Sequence, residues 1–240
     1  MDEFERLAER NDTKFAKRYR QSCIDKHADW DYKFWDLAAA EALLEDQYAW
    51  FLPTFRSLPR TVLKGDAVRA FILHAYGGVY LDMDVECLQE EDKMLAGQDL
   101  VLQCEYRTLR DINNAVLASV PGHPFWVQIM KIIMVTTQSI GDVNNPQTIL
   151  HTTGPGITLQ AFHHLVPEAK TAGNYVGSWK SDDGSHIRVY GVMEWYVPCE
   201  WDDHKCHQQI QEQQAAGQLP VNLVGHHHYS GSWLRETTRR

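Results

Sequence analysis

The amino-acid sequence has no long apolar run and no excess of basic residues. No window approaches the roughly 18 consecutive apolar residues that a membrane-spanning helix needs, and residues 1–6 do not have the pattern of a signal peptide. Lys and Arg number 23 against 32 Asp and Glu, which gives a formal net charge of −9. The basic stripe that neutralises nucleic-acid phosphates is therefore missing. We predict a soluble chain with no transmembrane segment and no nucleic-acid partner.

Several catalytic and metal-binding signatures are also missing. The sequence contains no Gly-x-Ser-x-Gly elbow, no Walker loop and no dinucleotide-binding glycine fingerprint. The five cysteines are odd in number and form no tight framework, so we predict buried free thiols, with one disulfide as the alternative. Cys199 and Cys206 lie seven residues apart near His204 and His207, a spacing unlike that of zinc knuckles. Zinc is therefore the weaker interpretation of that group.

The composition is that of a folded α/β protein. Hydrophobic residues make up 44% and aromatic residues 11% of the 240 positions, enough for a sizeable core. Helical periodicity alternates with short apolar runs, which predicts a sheet of mixed strand direction with helices around it. We predict helices over residues 2–50, 68–76, 125–136 and 157–165, and strands over residues 79–86, 100–104, 187–190 and 195–197.

The stretch from residue 79 to residue 86 carries the strongest chemical signal. Apolar residues occupy positions 79, 81, 83 and 85, and Tyr80, Asp82, Asp84 and Glu86 lie between them. On a strand this alternation puts both aspartates on one face. Like charges on a largely apolar segment repel, and desolvating them is costly. A divalent cation such as Mg²⁺ or Mn²⁺ would neutralise them; the alternative is a half-exposed strand whose acids face water.

The helix that precedes this strand contains a second charged pair. Asp66 and Arg69 are three residues apart, so they can share a face near the start of the helix. Gly77 is placed to end the helix in a left-handed turn. We therefore expect the helix start and the strand end to contribute to one site.

Two runs in this region resemble the signature of glycosyltransferase family 32, the DXD sugar-binding enzymes that include fungal mannosyltransferases: residues 63–69 (Leu-Lys-Gly-Asp-Ala-Val-Arg) and residues 76–84 (Tyr-Gly-Gly-Val-Tyr-Leu-Asp-Met-Asp). Their spacing is also similar to that in the large clostridial glucosylating toxins. The resemblance implies an α/β fold of the GT-A type, the nucleotide-diphospho-sugar transferase fold, with a mixed central sheet flanked by helices. It further implies metal-dependent transfer of a hexose to a glycan or glycolipid, with retention at the anomeric carbon. Mannose from GDP-mannose is favoured as the donor over UDP-linked glucose or galactose.

The resemblance also implies roles for individual residues. It implies four catalytic residues: Asp66, Arg69, Asp82 and Asp84. It also implies that the nucleotide-sugar donor is bound by Asp66, Arg69, Tyr80, Asp82, Asn114, Ser232 and Trp233. Asp82, Asp84 and His228 would hold Mn²⁺ (or Mg²⁺), with His227 as the alternative to His228. The segment Thr153-Gly154-Pro155 matches the family too and predicts a helix entry with a hydroxyl cap. The triple histidine 226–228 has a simpler alternative, an exposed polar tail.

The resemblance extends from about residue 15 to residue 233, which predicts one GT-A-like domain over 1–240 with a helical part at about 1–58. Relatives usually open with a strand that helps to bind the nucleotide base, and nothing like it precedes Phe15. That difference leaves two alternatives to transfer: a pseudoenzyme that binds a glycan or a partner, and a nucleotide-sugar hydrolase. The sequence itself predicts a soluble chain; the resemblance allows a Golgi or membrane association, and the alternative is a cytoplasmic protein.

Overall fold

A computed structural model describes residues 13–105, 110–192, 194–198 and 204–228. In chain order, the α-helices of these residues are α1 (Thr13–Lys26), α2 (Leu37–Gln47), α3 (Leu52–Ser57), α4 (Thr61–Tyr76), α5 (Asp92–Leu95), α6 (Pro124–Thr136), α7 (Pro146–Thr152), α8 (Pro155–Leu165) and α9 (His204–Ala215). The strands are β1 (Gly78–Leu81), β2 (Val85–Cys87), β3 (Leu100–Gln103), β4 (Val116–Ser119), β5 (Gly177–Lys180), β6 (His186–Tyr190), β7 (Trp195–Pro198) and β8 (Leu223–His227). Short 3₁₀ helices cover Thr137–Ser139 and Pro167–Thr171.

The strands form two sheets of mixed direction. The larger has the order β1-β4-β3-β6-β5, in which β3 and β6 are parallel and the other neighbours are antiparallel. The smaller has the order β2-β8-β7, with β2 antiparallel and β7 parallel to β8. The predicted α/β class with a mixed sheet is confirmed.

The larger sheet is covered on both faces. Leu100 and Leu102 of β3 point into the main core, which contains α2, α3, α4, α6 and α8. Val101 points the other way, into a second core shared with the smaller sheet. All three side chains are buried, as expected for a strand covered on both sides. Helices therefore pack on one face of the sheet, and the smaller sheet packs on the other.

Most of the predicted elements are present, but the first helix is not continuous. The segments 100–104, 187–190 and 195–197 are strands, and 125–136 and 157–165 are helical, as predicted. Residues 27–36 are turn and extended chain, which contradicts one helix over 2–50; residues 1–12 lie outside the described part. Asp36 explains the new start, because its side chain accepts a hydrogen bond from Ala39 N (2.7 Å) and so caps α2. Seven elements of the described residues were not predicted: α3, α5, α7, α9, β4, β5 and β8.

Helix α4 is buried nearly all round. Its residues from Asp66 to Leu73 all belong to the protein interior, the pattern of a helix surrounded by other elements. It ends at Gly77, whose φ of 63° lies in the left-handed region, as predicted. A Cβ at that position would lie 2.5 Å from Pro121 N, so only glycine fits here without displacing the backbone. The chain then turns directly from α4 into β1.

The cysteine prediction was mostly wrong. Cys23 of α1 and Cys87 of β2 form a disulfide, and Cys206 is also disulfide-bonded. Cys104 is a buried free thiol, as predicted, and Cys199 lies outside the described residues. The Cys23–Cys87 bond joins positions 64 residues apart, a pairing that local spacing does not encode. Among the described residues, no helix combines the length and apolarity needed to cross a bilayer.

Glu91 is a buried carboxyl away from the acidic motif. Its Oε2 accepts hydrogen bonds from Trp195 Nε1 (2.8 Å) and Tyr196 OH (3.4 Å), and Oε1 lies 3.6 Å from His27 Nε2. Burial raises the pKa of Glu91 from 4.5 to about 7, although the two hydrogen bonds oppose that shift. The native state therefore binds this proton more tightly than the unfolded chain does. The stability that Glu91 contributes is present below pH 4.5 and is lost as the pH rises through about 7.

We expect Glu91→Gln to remove that pH dependence. The neutral amide keeps the acceptor for Trp195 and avoids a buried charge, so above pH 8 the variant should be more stable, by on the order of 3 kcal/mol at most. Urea unfolding between pH 4.5 and 8.5 measures the difference. Glu90→Gln is the matched control, because that neighbouring side chain is exposed. If the free energy of unfolding changed with pH in the same way for Glu91→Gln and for the unchanged protein, the prediction would be contradicted.

Candidate active site

The two aspartates of the motif lie in a turn between the two sheets. The predicted single strand over 79–86 is wrong: β1 ends at Leu81, β2 begins at Val85, and they belong to different sheets. Asp82 N donates to Ala115 O (2.9 Å), which ties the turn to the larger sheet. Asp84 O accepts from His228 N (2.9 Å), which ties it to the smaller one. The aspartates therefore sit where the two sheets meet, with side chains 25% and 21% exposed.

A buried arginine joins α4 to this turn. Arg69 Nη1 donates to Asp66 Oδ1 at 2.5 Å, and Nη2 donates to Asp82 Oδ1 at 2.8 Å and to Oδ2 at 3.2 Å. The Arg69 and Asp66 side chains are only 11% and 7% exposed. Two charged residues on a buried helix need such partners, because an unpaired buried charge is very costly. The expected meeting of the helix with the end of the strand is thus present.

Asp66 and Asp82 also accept hydrogen bonds from uncharged groups. Asn114 Nδ2 lies 3.2 Å from Asp66 Oδ1, and Thr153 Oγ1 lies 3.4 Å from Asp66 Oδ2. Tyr80 OH donates to Asp82 Oδ1 at 3.0 Å. The network therefore extends from α4 through β1 to the segments before β4 and α8.

The structure brings His227 to the aspartates and takes His228 away from them. His227 Nε2 lies 3.2 Å from Asp84 Oδ1, and ligand atoms of Asp82, Asp84 and His227 all lie within 4.8 Å of one another. His228 Nε2 instead contacts Glu86 Oε2 at 3.0 Å. The reason is the alternation of side chains along an extended segment, since neighbouring residues point to opposite faces. Of the two histidines that the resemblance offers as metal ligands, the structure groups His227, the alternative, with Asp82 and Asp84, while His228 lies elsewhere; metal binding itself stays a prediction.

The charged groups of this network shift one another's pKa values. Burial raises the pKa of Asp66 and of Asp82, Arg69 lowers both, and Asp84 raises that of Asp82 further. Burial lowers the pKa of Arg69, but Asp82, Tyr80 and Asp66 outweigh it and hold the pKa above its usual value. Burial likewise opposes the charged form of His227, yet Asp84 raises its pKa. The site thus carries three acids around one permanent cation and one imidazole, a balance that favours a further cation.

Other expectations have mixed outcomes. Asn113 is a turn residue whose Oδ1 accepts from Ala115 N (2.6 Å), while Asn114 is the one that reaches Asp66. The hydroxyl cap of α8 is wrong: Gly154 is the N-cap residue, and Thr153 uses its hydroxyl on Asp66 instead. Ser232 and Trp233 lie outside the described residues.

Two further residue sets were missed by the sequence interpretation. Thr153 was predicted as a helix cap, and Glu86 and His226 were given no role as ligands. His207 was considered only in the weaker zinc interpretation with the two cysteines. The period of two in residues 223–228 was the available signal for the histidines, because it separates His227 from its neighbours.

Comparison with known proteins agrees with this geometry. The family described as "Glycosyltransferase sugar-binding region containing DXD motif" matches residues 14–101, which include α4 and both aspartates. The mannosyl phosphorylinositol ceramide synthase CSH1 of Saccharomyces cerevisiae is 37% identical over 112 residues, 47% of this chain and 29% of that protein. The inositol phosphoceramide mannosyltransferase 3 of Schizosaccharomyces pombe is 28% identical over 201 residues, 74% of this chain and 54% of that protein. The chain thus spans 29% to 54% of the length of these two relatives.

Among solved structures, the PaToxG glycosyltransferase covers 63% of this chain and 55% of its own, with a TM-score of 0.40 and 15% identity, which is a weak likeness. The sequence match is the stronger finding, because it includes Asp66, Arg69 and both aspartates of the motif. Over residues 14–101 this chain is therefore similar to the sugar-binding region of the DXD-motif glycosyltransferases, which confirms the resemblance found in residues 63–84.

Proposed function

We propose that this chain is a metal-dependent retaining glycosyltransferase that moves mannose from a nucleotide-diphosphate donor to an inositol phosphoceramide-type glycolipid. The observation that carries the proposal is the group of Asp82, Asp84 and His227 at a partly exposed turn, with Asp82 hydrogen-bonded to the buried Arg69. The substrate class is taken from relatives named mannosyl phosphorylinositol ceramide synthase and inositol phosphoceramide mannosyltransferase. GDP-mannose is the proposed donor.

The residues present suit a hard divalent cation. Two carboxylates and one imidazole within 4.8 Å of one another are a donor set that Mn²⁺ accepts, with substrate phosphates as further ligands. Asp82, Asp84 and His227 are the residues that would hold it. When bound, the cation would offset the charge that develops on the departing nucleotide diphosphate.

The buried part of the network would orient the donor sugar. Arg69 binds Asp66 through Nη1 and Asp82 through Nη2, so the buried guanidinium fixes both carboxylates. Asp66 Oδ1 accepts hydrogen bonds from both Arg69 Nη1 and Asn114 Nδ2 and so holds these two side chains in place. Tyr80 OH holds Asp82. A site fixed in this way before the substrate arrives avoids the entropy cost of ordering these side chains during the reaction.

A donor panel tests the proposal. With Mn²⁺ present, GDP-mannose, UDP-glucose and UDP-galactose are each offered with and without an inositol phosphoceramide acceptor, and nucleotide release and mannosylated lipid are measured. We expect release from GDP-mannose that depends on both Mn²⁺ and the acceptor. Full release without acceptor would instead show a hydrolase. Failure of every nucleotide to bind in calorimetry with Mn²⁺ would show a pseudoenzyme.

A further inference from the structure

A second group of nitrogen ligands lies beside the acidic site. It consists of His207 from α9, His226 from β8, and His228 directly after β8, and ring nitrogens of all three lie within 4.8 Å of one another. His207 Nδ1 and His226 Nε2 are 3.0 Å apart. The His207 and His228 rings are stacked with centroids 5.9 Å apart, and those of His226 and His228 are 4.1 Å apart. We propose that these three imidazoles bind a zinc ion.

The extended chain at 226–228 separates this group from the aspartates. His227 points to Asp84, while its two neighbours point to the opposite side, where α9 supplies His207. The two groups also differ in chemistry. Carboxylate oxygens suit Mn²⁺ and Mg²⁺, whereas a set made only of imidazoles suits Zn²⁺. One short segment therefore contributes to two metal sites of different preference.

The surroundings of His228 are those of a metal-bound imidazole. Glu86 Oε2 lies 3.0 Å from His228 Nε2, and Arg18 Nη2 donates to the other Glu86 oxygen at 3.2 Å. Tyr19 stacks on the same ring with centroids 4.1 Å apart. Histidines that bind metals usually donate their second ring N–H to a carboxylate, which fixes the tautomer and the ring orientation. Glu86 is buried and provides that carboxylate.

The site differs from the cysteine-containing group considered from the sequence. Cys206 is disulfide-bonded and therefore offers no thiolate. His204 is exposed on α9. Among the described residues of that group, only His207 belongs to the cluster. One of its partners is His226 of β8, the next element in the chain, 19 positions further along.

Zinc at this position would act as a structural clamp. It would join α9 to β8, and β8 carries His227 on its opposite side. Zinc bound to the native chain but not to the unfolded one would also raise the stability of the fold.

The experiment uses the full chain without an affinity tag, because an added histidine tract would bind zinc itself. After purification without chelators, elemental analysis should find one zinc ion per chain. The chelator-treated protein should regain one ion on titration, and its melting temperature should rise. His207→Gln should abolish both effects, and Glu86→Gln should weaken zinc binding by about 10- to 100-fold.

The controls separate this site from the acidic one. His204→Gln, on the same helix but exposed, should bind zinc like the unchanged chain, and so should Asp84→Asn and His227→Gln. Cobalt substitution should give a tetrahedral absorption spectrum that His207→Gln lacks. Absence of zinc from the unchanged chain, with no rise in melting temperature on titration, would overturn the proposal. Loss of zinc in Asp84→Asn but not in His207→Gln would overturn it as well, since the ion would then sit among the aspartates.

Discussion

Asp84→Asn is expected to lower the rate of sugar transfer by about 10³-fold or more and to abolish Mn²⁺-dependent binding of the nucleotide. The substitution keeps the shape of the side chain and removes one of three cation ligands. Asp84 contacts His227 and repels Asp82. Its negative charge is therefore partly destabilising in the metal-free protein. The fold should therefore be retained, with an unchanged melting temperature.

Calorimetry with GDP, with and without Mn²⁺, and a lipid-product assay measure the two effects. Asp46→Asn is the matched control, because Asp46 is exposed at the end of α2 and far from the turn in sequence. It should bind nucleotide and turn over like the unchanged chain. Normal turnover by Asp84→Asn would remove the metal site from the proposed mechanism. If Asp84→Asn melted below the temperature of the assay, its loss of activity would reflect unfolding, and Asp84 would act on the fold instead.

Arg69→Met is expected to destabilise the protein by about 3–5 kcal/mol at pH 7, because it leaves the buried Asp66 and the partly buried Asp82 without their cation. Burial already raises the pKa of Asp66 and Asp82 while Arg69 lowers both. Without Arg69 their native pKa values would lie still further above the unfolded ones. The penalty should therefore be small below about pH 4 and should grow as the pH rises. Urea unfolding at pH 4 and pH 7 gives the comparison.

Two further variants complete the comparison: a surface control, and a lysine that keeps the charge of residue 69. Arg56→Met is the matched control, because its ion pair with Glu41 is on the surface, where the arginine side chain is 54% exposed, and it should cost no more than about 1 kcal/mol. Arg69→Lys keeps the charge but loses the fork that reaches Asp66 and Asp82 together. We expect it to recover much of the stability and little of the activity. Equal stability of Arg69→Met and Arg56→Met at pH 7 would contradict the role of Arg69 as the central cation.

The local parts of the fold were predictable because short segments encode them. The buried face of α4, the left-handed Gly77 and the strands at 100–103 and 186–190 follow from side-chain periodicity and glycine chemistry. The pairing of Asp66 with Arg69 follows from their spacing of three on a helix. Each of these needs only a few neighbouring residues.

The division of the 79–86 strand was not predictable in that way. Its alternation is compatible with one continuous strand, but two distant partners compete for it. The backbone of Asp82 is hydrogen-bonded to that of Ala115, and the backbone of Asp84 is hydrogen-bonded to that of His228. The hydrogen bonds to these two partners make the chain turn and pass from one sheet to the other. The same long-range contacts bring Cys87 to Cys23 and so overturn the prediction of free thiols there.

By itself, the sequence determined the residue types of the site: an acid and an arginine near the start of a helix, two aspartates two positions apart, and three consecutive histidines. The tertiary structure alone decided which histidine faces the aspartates and which two meet His207 from a helix that the sequence did not predict. The physical reason is that a side chain's direction on β8 depends on the register in which β8 pairs with β2, and that register joins residues about 140 positions apart.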